Sequence, residues 1–189
     1  MVVTMTERYL TGPDAGETTE VGDRTIPTTR SFDAFCRSES DRLARALALA
    51  LNNPELGRDA AAEALARAWE RWSKVGEYDN PAGWTYRVGL NWGRSRLRRR
   101  RRETSAVFAP EPSITDAEYD DSIATALRHL STDHRAVIVG RFYLDWSEAD
   151  LAAALDIPTG TAKSRLSRAL EQLEHHLGND LEHQGDDHA

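Results

Sequence analysis

Cys36 is the only cysteine in the chain, so the sequence holds no internal disulfide and no thiolate cluster for zinc. This suits a reducing compartment and predicts a small, buried side chain at Cys36. No apolar run approaches the roughly 20 residues that cross a bilayer, and the N-terminus lacks the apolar core of a secretory signal. The expectation is a soluble, cytoplasmic protein without membrane insertion. His129, His134, His175, His176, His183 and His188 form no metal-ligand pattern with cysteine or paired carboxylates, and no nucleotide-hydrolysis motif is present. We therefore expect no metal, no cofactor and no enzymatic activity. Positive charge is also in deficit, with 24 Lys and Arg against 31 Asp and Glu for a formal net charge of −7. Taken alone, that balance argues against a nucleic-acid binder, whose binding domain is usually basic.

The distribution reverses the inference. Tyr86–Arg102 holds eight arginines and no acid, whereas Glu174–Ala189 holds five acids and no Lys or Arg. At 189 residues the chain has room for one domain or two small ones. Residues 1–30 scatter their apolar side chains among Thr, Gly, Pro and Asp without a period, which predicts a flexible extension. From Ser31, a plausible N-cap, Phe32, Phe35, Leu43, Leu47 and Leu51 recur at helical intervals up to the breaker Asn52-Asn53-Pro54. A second helix over about Arg58–Trp72 carries Ala61, Leu65, Ala68, Trp69 and Trp72 as its apolar stripe. Ser73–Asn80 has no period and reads as a loop. Asn80-Pro81 then supplies an N-cap and a first-turn proline for a helix running to about Arg102. Within it, Gly89 and Gly93 each cost about 1 kcal/mol relative to Ala, which points to close helix packing.

Residues 103–118, with Pro110, Pro112 and several acids, read as a flexible linker. Beyond it lie a helix over roughly Asp120–Leu130 and another over Thr132–Tyr143, capped by Ser131, with Ala136, Val137, Val139 and Phe142 among its apolar positions. Ser147 and Asp150 resemble a capping box for a short helix that stops at Asp156-Ile157-Pro158. Thr159–Leu170 follows, placing Ala162, Leu166, Ala169, Leu170 and Leu173 on one side. Thr161, Ser164, Arg165, Ser167 and Arg168 fall mostly opposite. The polar face carries hydroxyl and guanidinium groups and no carboxylate, as a surface pressed on phosphates and base edges would. Short helix, tight turn and basic helix make a helix-turn-helix. The helix from Pro81 adds arginines to neutralise phosphates, and Tyr78, Trp84, Tyr86 or Trp92 could stack on unpaired bases. The predicted fold is all-α: two small helical domains, 31–102 and 119–178, joined by a flexible linker, the second containing the helix-turn-helix. An acidic tail covers 179–189.

Three stretches resemble the extracytoplasmic-function (ECF) sigma factors of bacterial RNA polymerase, in the right order and across nearly all of Phe32–Leu177. DAAAEALARAW at Asp59–Trp69 looks like that family's polymerase-binding helix, with Asp59, Glu63 and Arg67 on matching positions. NPAGWTYRVGLNWGRSRLRRRRR at Asn80–Arg102 looks like its promoter-melting helix. WSEADLAAALDIPTGTAKSRLSRALEQL from Trp146 is similar to its DNA-reading helix-turn-helix. The resemblance implies core RNA polymerase and promoter DNA as partners, together with an anti-sigma protein. It puts Lys163, Ser164, Ser167 and Arg168 on the upstream, minus-thirty-five element, with Thr161 and Arg165 as second choices. Tyr78, Asp79 and Asn80 in the loop, with Asn91, Arg94 and Arg98 on the following helix, are assigned to the downstream, minus-ten element. Asp156 stands where the family usually has glycine. Ala162 replaces a larger apolar residue, Ala62 a polar one and Ser95 a common Asp.

A stand-alone helix-turn-helix regulator, binding duplex DNA without polymerase, is the competing reading. It does not account for an arginine-and-aromatic helix in the other half of the chain. A protein-only adaptor would show no salt-dependent DNA binding.

Overall fold

The computed structural model describes residues 31–104 and 126–185, with side chains through 102 in the first segment and through 177 in the second. Every regular element among them is helical, so the fold is all-α. The expected N-terminal extension, nearly all of the linker and the first part of the helix placed at Asp120–Leu130 lie outside the described residues; only 126–128 of that helix are seen as helical.

Helix α1 spans Phe32–Leu51, and Ser31 caps it by accepting from the Ala34 amide at 3.2 Å. Asn52 closes it in the left-handed conformation (φ 53°). Asn53 is then extended, its Oδ1 accepting from Leu56 N at 2.8 Å, and Pro54 sits at the start of α2, Pro54–Glu70. The breaker thus ends one helix and starts the next, and α2 begins four residues before the expected Arg58. Its missing N–H makes proline harmless in a first turn. A Cβ at Gly57 would lie 2.4 Å from Ala48 Cα, so α1 and α2 pack nearly backbone to backbone.

The expected loop at Ser73–Asn80 is partly helical. Trp72–Val75 form a single turn, α3, because the Lys74 and Val75 amides both donate to Arg71 O and Val75 is buried. Helix α4, Pro81–Thr104, begins where Asn80 Oδ1 accepts from Gly83 N at 2.7 Å and runs two residues past the expected end. Its glycines serve packing: a Cβ at Gly89 would lie 2.6 Å from Leu47 Cδ1, and one at Gly93 2.4 Å from Leu51 Cδ1. Cys36 is half-buried rather than buried.

In the second half, α5 covers Thr132–Ile138, with Ser131 accepting from His134 N. The single helix expected to Tyr143 changes at Val139, where Val139–Tyr143 wind as a π-turn closed by Leu144 N donating to Val139 O at 2.9 Å. The extra residue rotates Phe142 out of the core to 63% exposure, against its expected apolar role. Helix α6, Glu148–Leu155, has the full capping box, with Ser147 and Asp150 each bonding the other's backbone N–H. Asp156 takes the left-handed conformation at φ 58° without glycine. Helix α7 then runs from Thr159 to Gly185, into the stretch read as a tail.

The halves pack on each other, and their apolar side chains form one cluster that runs from Phe35 and Leu47 through Tyr86 to Val137, Trp146 and Ala169. Tyr86 is fully buried, its ring edge-on to Trp146 with centroids 5.5 Å apart and its hydroxyl donating to Ala136 O at 3.3 Å. Arg42 of α1 donates to Leu144 O at 2.7 Å, and Arg135 of α5 returns the contact by donating to Ala50 O at 2.9 Å.

Candidate nucleic-acid interface

The first three turns of α7 separate two faces. Ala162, Leu166 and Ala169 are buried against the core. Lys163, Ser164, Ser167 and Arg168 are exposed on the other side, and Thr161 is half-buried. Ser164 Oγ turns back to Thr161 O at 3.2 Å, a local bond that DNA can replace. Ser167 Oγ donates to Glu171 Oε1 at 3.1 Å, where the carboxylate-free surface ends. Lys163 stands clear of the apolar face. Arg165 is half-buried and directed at the Asp133 carboxylate, Nη2 to Oδ2 3.7 Å.

The downstream candidates are less uniform. Tyr78 (36% exposed) and Asp79 are open to solvent, whereas the Asn80 side-chain oxygen is committed to capping α4. Asn91 and Arg98 are exposed on α4, with Arg98 donating to Ser95 Oγ at 3.0 Å. Arg94 is half-buried in an ion pair with Asp133. Trp92 carries the Arg96 guanidinium over its ring at 4.8 Å. Burial of Tyr86 against Trp146 removes it from the stacking candidates. Tyr78, Asp79, Asn80, Trp84 and Arg87 form one wall of a cleft whose other wall is Asp150, Ala153, Ala154 and Asp156 of the helix-turn-helix.

On α2, Asp59, Glu63 and Arg67 follow one another at four-residue spacing along one face. Asp59 and Arg67 are exposed, and Arg67 pairs with Glu63 at 2.7 Å. Trp69, expected in the apolar stripe, is 48% exposed and packs with its ring tilted against Phe32 beside Trp72, making an aromatic edge next to those charges. Its position two residues before the C-cap Arg71 was the available signal. Arg87 and Asp133 had none: one is lost in a run of eight arginines, and the other looks like an ordinary first-turn acid. Among the described residues no group of three or more His, Cys, Asp or Glu is placed to hold a metal, and no helix is long and apolar enough to cross a membrane.

Known proteins carry the same arrangement. Residues 120–173 match the family model "Sigma-70, region 4". The ECF RNA polymerase sigma factor SigL of Mycobacterium tuberculosis is 38% identical over 125 residues, covering 61% of this chain and 71% of SigL. SigM of the same organism, also an ECF RNA polymerase sigma factor, is 31% identical over 153 residues, with 78% of each chain covered. The sigma factor RpoE from Bartonella quintana, solved in complex with the anti-sigma factor NepR, superimposes with a TM-score of 0.68 at 26% identity, covering 78% of this chain and 96% of RpoE. With a helix-turn-helix behind a basic, aromatic α4 and relatives that match across both halves, the chain belongs to the ECF RNA polymerase sigma factors.

Proposed function

We propose that this sigma factor divides promoter recognition among three surfaces on two functional units, 31–102 and 119–178. Lys163, Ser164, Ser167 and Arg168, aided by Thr161 and Arg165, read the minus-thirty-five element in the major groove. Tyr78, Asp79 and Asn80 hold a separated base of the minus-ten element, while Asn91, Arg94 and Arg98 bind the opened strand. Asp59, Glu63 and Arg67 dock on core RNA polymerase. The carboxylate-free outer face of the first three turns of α7 carries this reading most strongly, because exposed hydroxyl and cationic groups are set by a rigid apolar inner face. Melting energy comes from capture of unstacked bases, a contact of roughly 1–3 kcal/mol per base, rather than from catalysis by the chain. An anti-sigma protein is a further partner, by analogy with RpoE and NepR.

Transcription from a mapped promoter with purified core polymerase tests the assignment. Core polymerase with this chain should open that promoter, and the chain alone should not. Sequence-specific binding of the closed duplex by the chain alone, with no opening when polymerase is added, would favour the stand-alone regulator.

A further inference from the structure

The arginines of α4 divide between two sides of the helix. At ~100° per residue, Asn91, Ser95 and Arg98 share one side, and Trp92, Arg96, Arg99 and Arg100 share another, turned about a quarter of a circle from it. The second side faces α2, where together with Leu56 and Asp59 it walls a cavity of about 260 Å³. Leu56 is buried and Trp92 half-buried, while Asp59 and the three arginines are exposed. The Arg96 guanidinium lies over the Trp92 ring at 4.8 Å, a contact that holds it beside the cavity. Among the described residues neither Arg96 nor Arg100 is paired with a carboxylate. Three guanidiniums against one carboxylate leave positive charge in excess in a concave site, and an anion entering it relieves their repulsion.

We propose that this cavity binds a free nucleoside di- or triphosphate, with Arg96, Arg99 and Arg100 on its phosphates and Asp59 accepting from the nucleoside. Arginine meets phosphoryl oxygens with forked pairs of hydrogen bonds, and several arginines on successive turns suit adjoining phosphates better than a lone carboxylate. The other walls fit the rest of such a ligand. Leu56 and Trp92 offer apolar surface to a base or sugar, and the Asp59 carboxylate accepts from a hydroxyl or an amine. A DNA strand fits less well, because Asp59 repels a continuous run of phosphates and the residues read as holding the opened strand lie on the other side of α4. Asp59 also belongs to the set read as docking on core polymerase. An occupied cavity therefore withholds that carboxylate from polymerase, a coupling that rests on the docking reading.

Equilibrium dialysis of the full-length chain against GTP, ATP and inorganic pyrophosphate tests the site. We expect saturable binding of one anion per chain. Arg96→Gln and Arg100→Gln should each weaken it roughly tenfold, as loss of a charge-assisted hydrogen bond does. Arg102→Gln removes a cation from the same helix outside the cavity and should change binding less than about twofold. Asp59→Asn separates the two ends of the ligand: GTP or ATP should bind more weakly, and pyrophosphate no more weakly than to the parent. No saturable binding, or a loss in Arg102→Gln equal to that in Arg100→Gln, would overturn the proposal. So would displacement of pyrophosphate by a single-stranded oligonucleotide whose own binding falls in Arg96→Gln, since the cavity would then belong to DNA. Affinity for core polymerase, measured with and without saturating nucleotide, tests the coupling: it should fall in the parent and stay constant in Arg100→Gln. Constant affinity in the parent would overturn the coupling. If Asp59→Asn leaves polymerase affinity unchanged, the docking reading fails, while dialysis still reports the nucleotide site.

Discussion

Arg135 donates from Nε to the carbonyl of Ala50, 85 residues earlier, at 2.9 Å. Nη1 reaches Leu130 O at 2.6 Å and Leu127 O at 3.3 Å, and Nη2 reaches Thr132 Oγ1. The side chain is buried, and carbonyls from the last turn of α1 and from the turn before α5 accept from its guanidinium.

Arg135→Ala leaves buried carbonyls on both halves without donors. At ~1–3 kcal/mol for each orphaned group, the expected loss is about 2–4 kcal/mol, and because the acceptors lie in both halves the halves should uncouple. Urea unfolding checks both points, with a lower midpoint and a broadened or two-step transition expected. A change under ~0.5 kcal/mol with a single sharp transition would show that the clamp contributes little.

Glycine replacements in two helices should have opposite signs. Gly89→Ala gains ~1 kcal/mol of helix propensity, but its methyl would lie 2.6 Å from Leu47 Cδ1 and 3.0 Å from Ala60 O, and overpacking typically costs ~1–3 kcal/mol. The net effect should be destabilising. Gly160, in the first turn of α7, has nothing within 4 Å of its added Cβ, so Gly160→Ala should stabilise by ~0.4–1 kcal/mol. Thermal melts of the pair are the test, and a shift in the same direction for both would contradict the packing argument.

Tyr86 should stay protonated far into alkali. Burial pushes its phenol well above the ordinary value, against smaller opposing effects from Arg94 and Arg135. In the unfolded chain the same phenol ionises near ~10. Above that pH the unfolded state binds fewer protons than the folded one, so the contribution of Tyr86 is complete below pH ~10 and is lost as pH rises towards the folded value. Tyr86→Phe should flatten this alkaline decline in urea-derived stability. A slope identical to the parent's would assign the decline to other groups.

What the sequence revealed depended on how local the cause was. The helix-turn-helix was legible because Ser147, Asp150, Asp156 and the Ala162-Leu166-Ala169 stripe act within one or two turns, and each adopts the expected role. Asn53-Pro54 was ambiguous, since the same pair stops one helix and starts another. The π-turn at Val139–Tyr143 has no signature that a 3.6-residue period can detect, so Phe142 was assigned inward. The contact between halves was illegible: Tyr86 meets Ala136 50 residues away, and Arg42 meets Leu144 102 residues away. A buried tyrosine and a stacking tyrosine look alike until the partner is known. Arg94 and Arg165 are half-buried at Asp133, and that shared acid lay beyond any periodicity.

Arg168 gives the sharpest test of the recognition helix. It is exposed on α7, one turn past Ser164, on the face that carries Lys163 and Ser167. Arg168→Ala should leave stability within ~0.5 kcal/mol of the parent, as surface substitutions away from packing generally do. If the guanidinium binds a guanine edge in the minus-thirty-five element, promoter affinity should fall by about 1–3 kcal/mol, and discrimination should relax at one base pair. If it touches only phosphate, the loss should be smaller, uniform across sequences and accompanied by a salt slope reduced by about 1. Binding of promoter variants by the polymerase complex at several salt concentrations separates these outcomes. Unchanged affinity, selectivity and salt slope together would remove Arg168 from the interface and shift upstream recognition towards Lys163 and Ser164, on the N-terminal turn of the same helix.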